Sequence, residues 1–455
     1  MTTRREFLQH TGLGLAGLTC IPLRAMGKAQ NSFHTNFVFI LCDDLGYGDL
    51  GCYGHPRIQT PNLDQLAREG LRLTDCYAAA PVCSPSRAGI MTGRNPTRCR
   101  IPDWIPPRSG IYLHPQEITV ATLLRQAGYT TCHSGKWHLS DAEFFETRPT
   151  PGDHGFDHWF STQNNALPSH RNPANFVRQG ERVGSTTGYS STLIVDEAIE
   201  FLHNRDEHNP FALFVWFHSP HEPIATAEYY HRLYADVEEQ EQAIYYGNVS
   251  QMDAETGRLL RALDRLNLRE STFVMFTSDN GPETLNRYRG AQYSYGSPGP
   301  LRGMKLHLYE GGIRVPGLIR WPGHTQPGQV SHEPVNGTDI LPTFCAIAAA
   351  PLPQDRALDG ASLLPLLQGQ AVDRPKPLYW RYDRALSPAK TALRQGEWKI
   401  LVTPDGTGVE LYNLREDPCE QVNRAQSEPT RTTSLLAELK AIHTEIENDP
   451  ISAPK

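Results

Sequence analysis

The chain has 455 residues, 39% of them hydrophobic and 20% charged, enough for a large core and two folded units of ordinary globular composition. Its formal net charge is -7 and it has no basic run or stripe, which excludes nucleic acid as a general partner. An anionic substrate must then be drawn by local Lys, Arg, His and metal charge, not by the global field.

Residues 1–29 read as an export signal. Thr3-Arg4-Arg5-Glu6-Phe7-Leu8 resembles the twin-arginine motif, with Gln9 where the pattern often has Lys. The apolar stretch 13–23 is Gly-rich and too short to span a bilayer, and Ala25-Met26-Gly27 and Gly27-Lys28-Ala29 both offer small-residue cleavage sites. Gly17-Leu18-Thr19 before Cys20 is a poor lipobox. The expected product has no transmembrane span and is periplasmic or secreted, exported in folded form by the twin-arginine machinery. Of the nine cysteines, setting aside Cys20 and Cys83 leaves seven at scattered positions with no Cys-x-x-Cys pair. That is no disulfide framework, although one bridge could still form. Cys42 and Cys345 lie in apolar segments and are expected in the core.

The run 36–42 is continuously apolar and of strand length, as in a central parallel strand. Thr60-Pro61 opens a helix, with Thr60 as its N-cap, that closes near Gly70. Further helices are expected over 119–127, 191–204 and 240–266, and strands over 211–217 and 272–277. Strands alternating with helices argue for an α/β fold with a mostly parallel sheet. Beyond about residue 360 the texture changes to short strands near 378–382, 391–394, 398–402 and 410–412, then a helix over 432–447. The expected division is a catalytic domain over 33–360 and an antiparallel sheet-plus-helix subdomain over 361–455.

Asp43-Asp44 ends the first strand and Asp279-Asn280 ends the 272 strand. Ligand sites of open α/β sheets lie outside the carboxyl ends of the strands, so both pairs are expected at one rim. Four oxygen-bearing side chains without His or Cys suit a hard cation such as Ca²⁺ or Mg²⁺. In Gly135-Lys136-Trp137-His138, an extended backbone would aim Lys136 and His138 from one face and pack Trp137 on the other. Phe217-His218-Ser219-Pro220-His221 adds imidazoles after another strand, and Arg302-Gly303-Met304-Lys305 adds cations. Cys83-Ser84-Pro85-Ser86-Arg87, followed by Thr92-Gly93-Arg94, is the most specific stretch.

These strings, in this order over roughly residues 34–425, resemble the type I sulfatases, in the branch of arylsulfatase A and N-acetylgalactosamine-6-sulfatase. The resemblance implies an alkaline-phosphatase-like α/β sandwich with a small C-terminal antiparallel subdomain. It implies that a maturation enzyme oxidises Cys83 to formylglycine, which would occur in the cytoplasm before export of the folded chain. A hydrated aldehyde carries two hydroxyls, so one can attack sulfur and the other, once deprotonated, can expel sulfate. The family pattern further places a divalent metal, usually calcium, on Asp43, Asp44, Asp279 and Asn280 together with residue 83. It assigns sulfate binding to Lys136, breakdown of the sulfated enzyme to His138, and protonation of the leaving alcohol to His221. It likewise maps contact with sulfate and the scissile oxygen onto Lys305, and orientation of the nucleophile onto Arg87. Met304 stands where Gly is common, and His218 is open to a structural role.

The implied activity is hydrolysis of sulfate monoesters, most naturally of a sulfated carbohydrate, with aryl sulfates as simpler substrates. Two other readings stand beside it: a phosphonate or phosphodiester hydrolase of the same superfamily, and an inert glycan-binding relative whose Cys83 is never oxidised. Specificity is expected in the loops 163–176 and 284–298, with Asn164, His170 and Arg171 as candidate sugar or carboxylate contacts.

Overall fold

The computed structural model describes residues 34–143 and 145–450; the expected export signal lies outside them. The main sheet draws on β1 (Asn36–Asp43), β2 (Leu71–Tyr77), β3 (Thr130–Lys136), β4 (His158–Thr162), β5 (Val177–Arg178), β6 (Glu181–Arg182), β7 (Phe211–Pro220), β8 (Thr272–Ser278), β9 (Arg314–Arg320), β10 (Gln329–Ser331) and β11 (Val335–Asn336). Their order across the sheet is β10-β2-β9-β8-β1-β7-β3-β4-β5-β6, with β11 beside β2. The centre, β8-β1-β7-β3-β4, is parallel throughout. Antiparallel pairing enters at β9, which runs against both β2 and β8, and at the β4-β5-β6 edge.

The helices are α1 (Pro61–Glu69), α2 (Cys83–Thr92), α3 (Val120–Gln126), α4 (Ser190–Asn204), α5 (Glu228–Arg232), α6 (Gln240–Arg265), α7 (Glu310–Ile313), α8 (Ile340–Ala348), α9 (Leu364–Leu367) and α10 (Pro429–Glu447). Side chains alternate across a strand, and β1 divides accordingly. Phe37, Phe39 and Leu41 pack with α2, α3 and α8 in one core; Val38, Ile40 and Cys42 pack with α1, α4 and α6 in the other. Both faces being covered explains why β1 is an unbroken apolar run.

Thr60 does not cap α1 with its side chain as expected. Its hydroxyl is engaged by Asp64 and by the Gly51 N–H, and Asp253 on α6 accepts from the Asn62 and Leu63 N–H groups instead. A carboxylate distant in sequence thus supplies the cap.

A second sheet, β12 (Leu378–Arg381), β13 (Thr391–Gln395), β14 (Trp398–Val402) and β15 (Val409–Asn413), is antiparallel. One face buries Leu393, Ile400 and Leu411 against Leu435, Leu439, Ile442 and Ile446 of α10. The other packs Trp380, Tyr382, Leu401 and Tyr412 with Cys83, Leu306, Leu308 and Tyr309 of the larger part. Lys399, wholly buried, bridges Glu310 at 2.8 Å and Glu420 at 2.9 Å. The small sheet thereby clamps the segment that carries Lys305.

Among the described residues the eight cysteines are unpaired, and Cys42 and Cys345 are buried. No helix among them is long and apolar enough to cross a membrane.

Candidate active site

Strand register assembles the site. β1 and β8 pair Cys42 with Ser278, which sets Asp43 beside Asp279, whose N–H donates to the Cys42 carbonyl at 3.0 Å. On the other side β7 places Pro220 opposite Asp43, and β3 places Gly135 opposite Trp216. The carboxyl ends of four adjacent parallel strands therefore deliver Asp43-Asp44, Asp279-Asn280, Lys136 and His221 to one rim. Gly135 has φ +121°, and a Cβ there would lie 1.8 Å from the Trp216 carbonyl oxygen, so only glycine lets β3 end this close to β7.

The expectation of an extended Lys136-Trp137-His138 needs correction. β3 stops at Lys136, and His138 takes the left-handed region at φ +55°. The Trp137 and His138 N–H groups donate to the carbonyls of Thr162 and Gln163 at 2.9 and 2.6 Å, which fixes the turn. Trp137 packs in the core against Trp216, with ring centroids 6.1 Å apart.

Cys83 is the first residue of α2, and Pro85 sits in its first turn, where a missing N–H costs no hydrogen bond. The positive end of the helix is thus at Cys83. Arg87, one turn on, shares that face. Its Nε and Nη2 donate to Asp279 Oδ2 at 2.9 and 2.7 Å, and its Nη1 donates to the Lys136 carbonyl at 2.7 Å.

Cations and carboxylates interlock here. Lys136 Nζ lies 2.5 Å from Asp43 Oδ2, Lys305 Nζ 2.7 Å from Asp44 Oδ2, and His221 Nε2 3.7 Å from that same oxygen. Burial opposes ionisation of Asp43, but Lys136, His221, Arg87 and Lys305 outweigh it and hold the carboxyl well below the usual range. For Asp44 and Asp279 burial wins, aided by neighbouring carboxylates, and their values rise to about 6 and about 7. Burial works against the Lys305 ammonium too, yet Asp44 and its other anionic neighbours keep it well above its ordinary value. Burial, then Lys136, pushes His138 well down; burial, then Lys305, takes His221 to about 3.

The donor chemistry fits a hard cation. Asp43 Oδ1 and Asn280 Oδ1 are buried and lack hydrogen-bond partners, an arrangement costly for oxygen unless a cation completes it. Ligand atoms of Asp43, Asp44, Cys83 and His221 lie within 4.8 Å of one another. Cys83 itself suits a precursor better than a working thiol. Burial pushes its pKa up to about 12, which disfavours the thiolate.

Cys83, His138, His221 and Lys305 line a cavity of about 560 Å³, with Asn164 and Asn165 beside them. His170 and Arg171 do not line it. His170 is 2% exposed and turned toward Asn248, while Arg171 is exposed and its backbone pairs with Tyr189. His218 is buried with Nε2 2.7 Å from the Thr162 hydroxyl, a structural placement. Sequence reasoning missed Asp103, Trp104, Glu283, Tyr382 and Arg384 of the wall. None carries a motif, and an aromatic beside a charge, as in Asp103-Trp104, is too common in sequence to mark a site. Arg287 and Tyr288 do come from the expected 284–298 loop.

The sulfatase family model matches residues 35–350, and a model described as N-sulphoglucosamine sulphohydrolase, C-terminal, matches residues 304–448. Human N-acetylgalactosamine-6-sulfatase is 35% identical over 396 residues, covering 80% of this chain and 71% of that protein. Human arylsulfatase A is 34% identical over 459 residues, covering 90% and 86%. The solved structure of Ps i-CgsB in complex with k-i-k-neocarrahexaose superposes with a TM-score of 0.81 at 26% identity, covering 92% of this chain and 94% of that one. Those likenesses and the α/β architecture agree with the expected fold, and the chain belongs to the type I sulfatase family, in the branch of arylsulfatase A and N-acetylgalactosamine-6-sulfatase, which makes it a sulfuric ester hydrolase.

Proposed function

We propose that the chain hydrolyses sulfate monoesters of a sulfated carbohydrate at residue 83, carried as formylglycine, beside a bound calcium ion. The observation that carries this reading is the cavity with Cys83, His138, His221 and Lys305 in its wall and three buried carboxylates behind them. The carbohydrate assignment draws support from relatives whose names or bound ligands are sugars. Asp43, Asp44, Asp279 and Asn280 would hold the metal, which would supply polarisation of the sulfate, and residue 83, as hydrated formylglycine, would supply one hydroxyl for attack on sulfur and a second for expulsion of sulfate.

The chain's own residues do the rest. Lys136 and Lys305 face the negative charge that builds on sulfate and bridging oxygen, and preorganised donors of this kind are worth about 3 kcal/mol each. In its imidazolium form His221 gives a proton to the leaving alcohol through Nε2, because its Nδ1–H is committed to the Glu222 carbonyl at 2.7 Å. His138 Nε2 lies 3.3 Å from the Ile105 carbonyl, which assigns that nitrogen the proton and leaves Nδ1 as the base. Arg87 orients residue 83 from one helical turn away. Residues 33–360 would form the catalytic domain and 361–455 the smaller subdomain, exported together after twin-arginine recognition of the folded, matured chain.

Side-by-side turnover of sulfated mono- and oligosaccharides, aryl sulfates and aryl phosphonates tests the reading. Sulfate release from at least one sugar sulfate, exceeding phosphonate turnover, is the expected result. Preferential phosphonate hydrolysis would overturn it.

A further inference from the structure

Beyond the reacting groups, the cavity has a wall that none of the catalytic roles explains. The Asp103 carboxylate gathers three donors: the Tyr382 hydroxyl and the Trp104 N–H, each 2.8 Å from Oδ1, and Arg384 Nη1, 3.0 Å from Oδ2. Asp103 and Trp104 follow α2, whereas Tyr382 and Arg384 follow β12 of the small sheet, so one carboxylate ties two distant parts of the chain into a single surface. All four residues line the cavity that reaches Cys83.

Their exposure is informative. Trp104 is 39% exposed although its backbone is fixed, and the Arg384 side chain is 75% exposed. Arg287, in the same cavity, differs: its Nε and Nη2 are both committed to Glu283, each at 2.7 Å. Arg384 therefore keeps a planar donor edge for another anion, and Trp104 offers a rigid apolar face to a sugar ring.

We propose that Trp104 and Arg384 form a glycan subsite selecting a substrate whose sulfated sugar is joined to, or itself bears, a second anionic group, a carboxylate or a further sulfate. Arg384 contacts that anion, Trp104 carries the ring, and Asp103 and Tyr382 position both. The proposal rests on the sulfatase reading for the identity of the scissile ester, but its test does not require turnover.

Calorimetric binding to the Cys83→Ala protein provides the test. The probes are N-acetylgalactosamine 6-sulfate and glucosamine 6-sulfate, each alone, each linked to a hexuronic acid, and each with a second sulfate. In at least one series the two-anion ligand should bind about tenfold more tightly than its one-anion counterpart. Arg384→Ala should erase that difference, Arg384→Lys should restore only part of it, and Trp104→Ala should weaken both ligands. Whichever second anion gives the gain identifies the substrate type. Loss of one exposed ion pair should leave the thermal unfolding midpoint of Arg384→Ala close to the parent's, which separates a binding defect from misfolding. No gain from the second anion in any series, no binding at all, or equal losses on both ligands in Arg384→Ala would overturn the proposal. Failure of the mature enzyme to release sulfate would instead sink the catalytic reading and leave these binding results standing.

Discussion

Arg87 holds Asp279 through two nitrogens on one carboxylate oxygen, with both side chains wholly buried. That pair fixes the helix carrying Cys83 to the end of β8, and the Arg87 contact to the Lys136 carbonyl adds β3. Arg87→Met should leave the Asp279 carboxylate without its cation and cost about 3–5 kcal/mol in denaturant unfolding. Arg87→Lys keeps the charge but not the planar fork, so it should be less destabilised yet still poorly active. A neutral Arg87→Met would show that the pair is not what joins α2 to the sheet.

The buried Cys83 thiol, pushed up to about 12, predicts that activity tracks its conversion and not its alkylation. Protein co-produced with a maturation enzyme should yield a Cys83 peptide lacking an alkylatable thiol, seen by mass spectrometry. Activity per molecule should rise in proportion to the converted fraction. A fully active preparation with an intact, alkylatable Cys83 would contradict the mechanism.

Asp43 Oδ1 and Asn280 Oδ1, both buried without a hydrogen-bond partner, predict about one hard divalent ion per chain. Elemental analysis should find calcium, and Asp279→Ala should lose it and most activity together. Histidine-bound zinc, or full activity after stringent chelation, would exclude this ligand set.

Asp49 predicts a pH dependence of stability. Burial raises its carboxyl from 3.8 to about 7, despite hydrogen bonds from Ser297, Gly46 and Tyr245. A raised acid binds its proton more tightly in the folded state, so its contribution is complete below about pH 4 and is lost as pH rises through 7. Unfolding free energy measured in chelator should therefore fall between pH 4 and 8. Asp49→Asn should flatten that slope, whatever its absolute stability; an unchanged slope would show that Asp49 is already ionised at low pH.

Much of this site was legible because its groups sit at strand ends, where register alone sets neighbours. The apolar runs of β1 and β8 placed Asp43 beside Asp279, and the Cys83 motif carries its own helix start. His138 was less legible: its left-handed turn depends on the Thr162 and Gln163 carbonyls, which no local pattern reveals. The same limit hid the Asp253 cap of α1. It also hid the Asp103 wall, built from segments 279 residues apart in the case of Tyr382. The 163–176 loop was expected to carry specificity, and its Asn164 and Asn165 do line the cavity, but His170 turns into the core, and residue type alone does not fix which way a loop histidine faces.

The proposed roles of the two site histidines divide by tautomer. His138 has its proton on Nε2, toward the Ile105 carbonyl, and an unpartnered buried Nδ1; burial keeps it neutral and able to accept a proton. His138→Ala should let the alcohol leave once and then stall, giving a burst of about one equivalent per active site before slow turnover. Burial, then Lys305, lowers His221 to about 3, so in the proposed role its Nε2 takes a proton from solvent once the anionic ester offsets the Lys305 charge. His221→Ala should slow alcohol release most for sugar sulfates, whose alkoxides leave poorly without a proton. Aryl sulfates with acidic phenols should be affected far less. Equal losses on sugar and aryl sulfates would reduce His221 to a positioning role, and a His138→Ala enzyme without a burst would move the base to another residue.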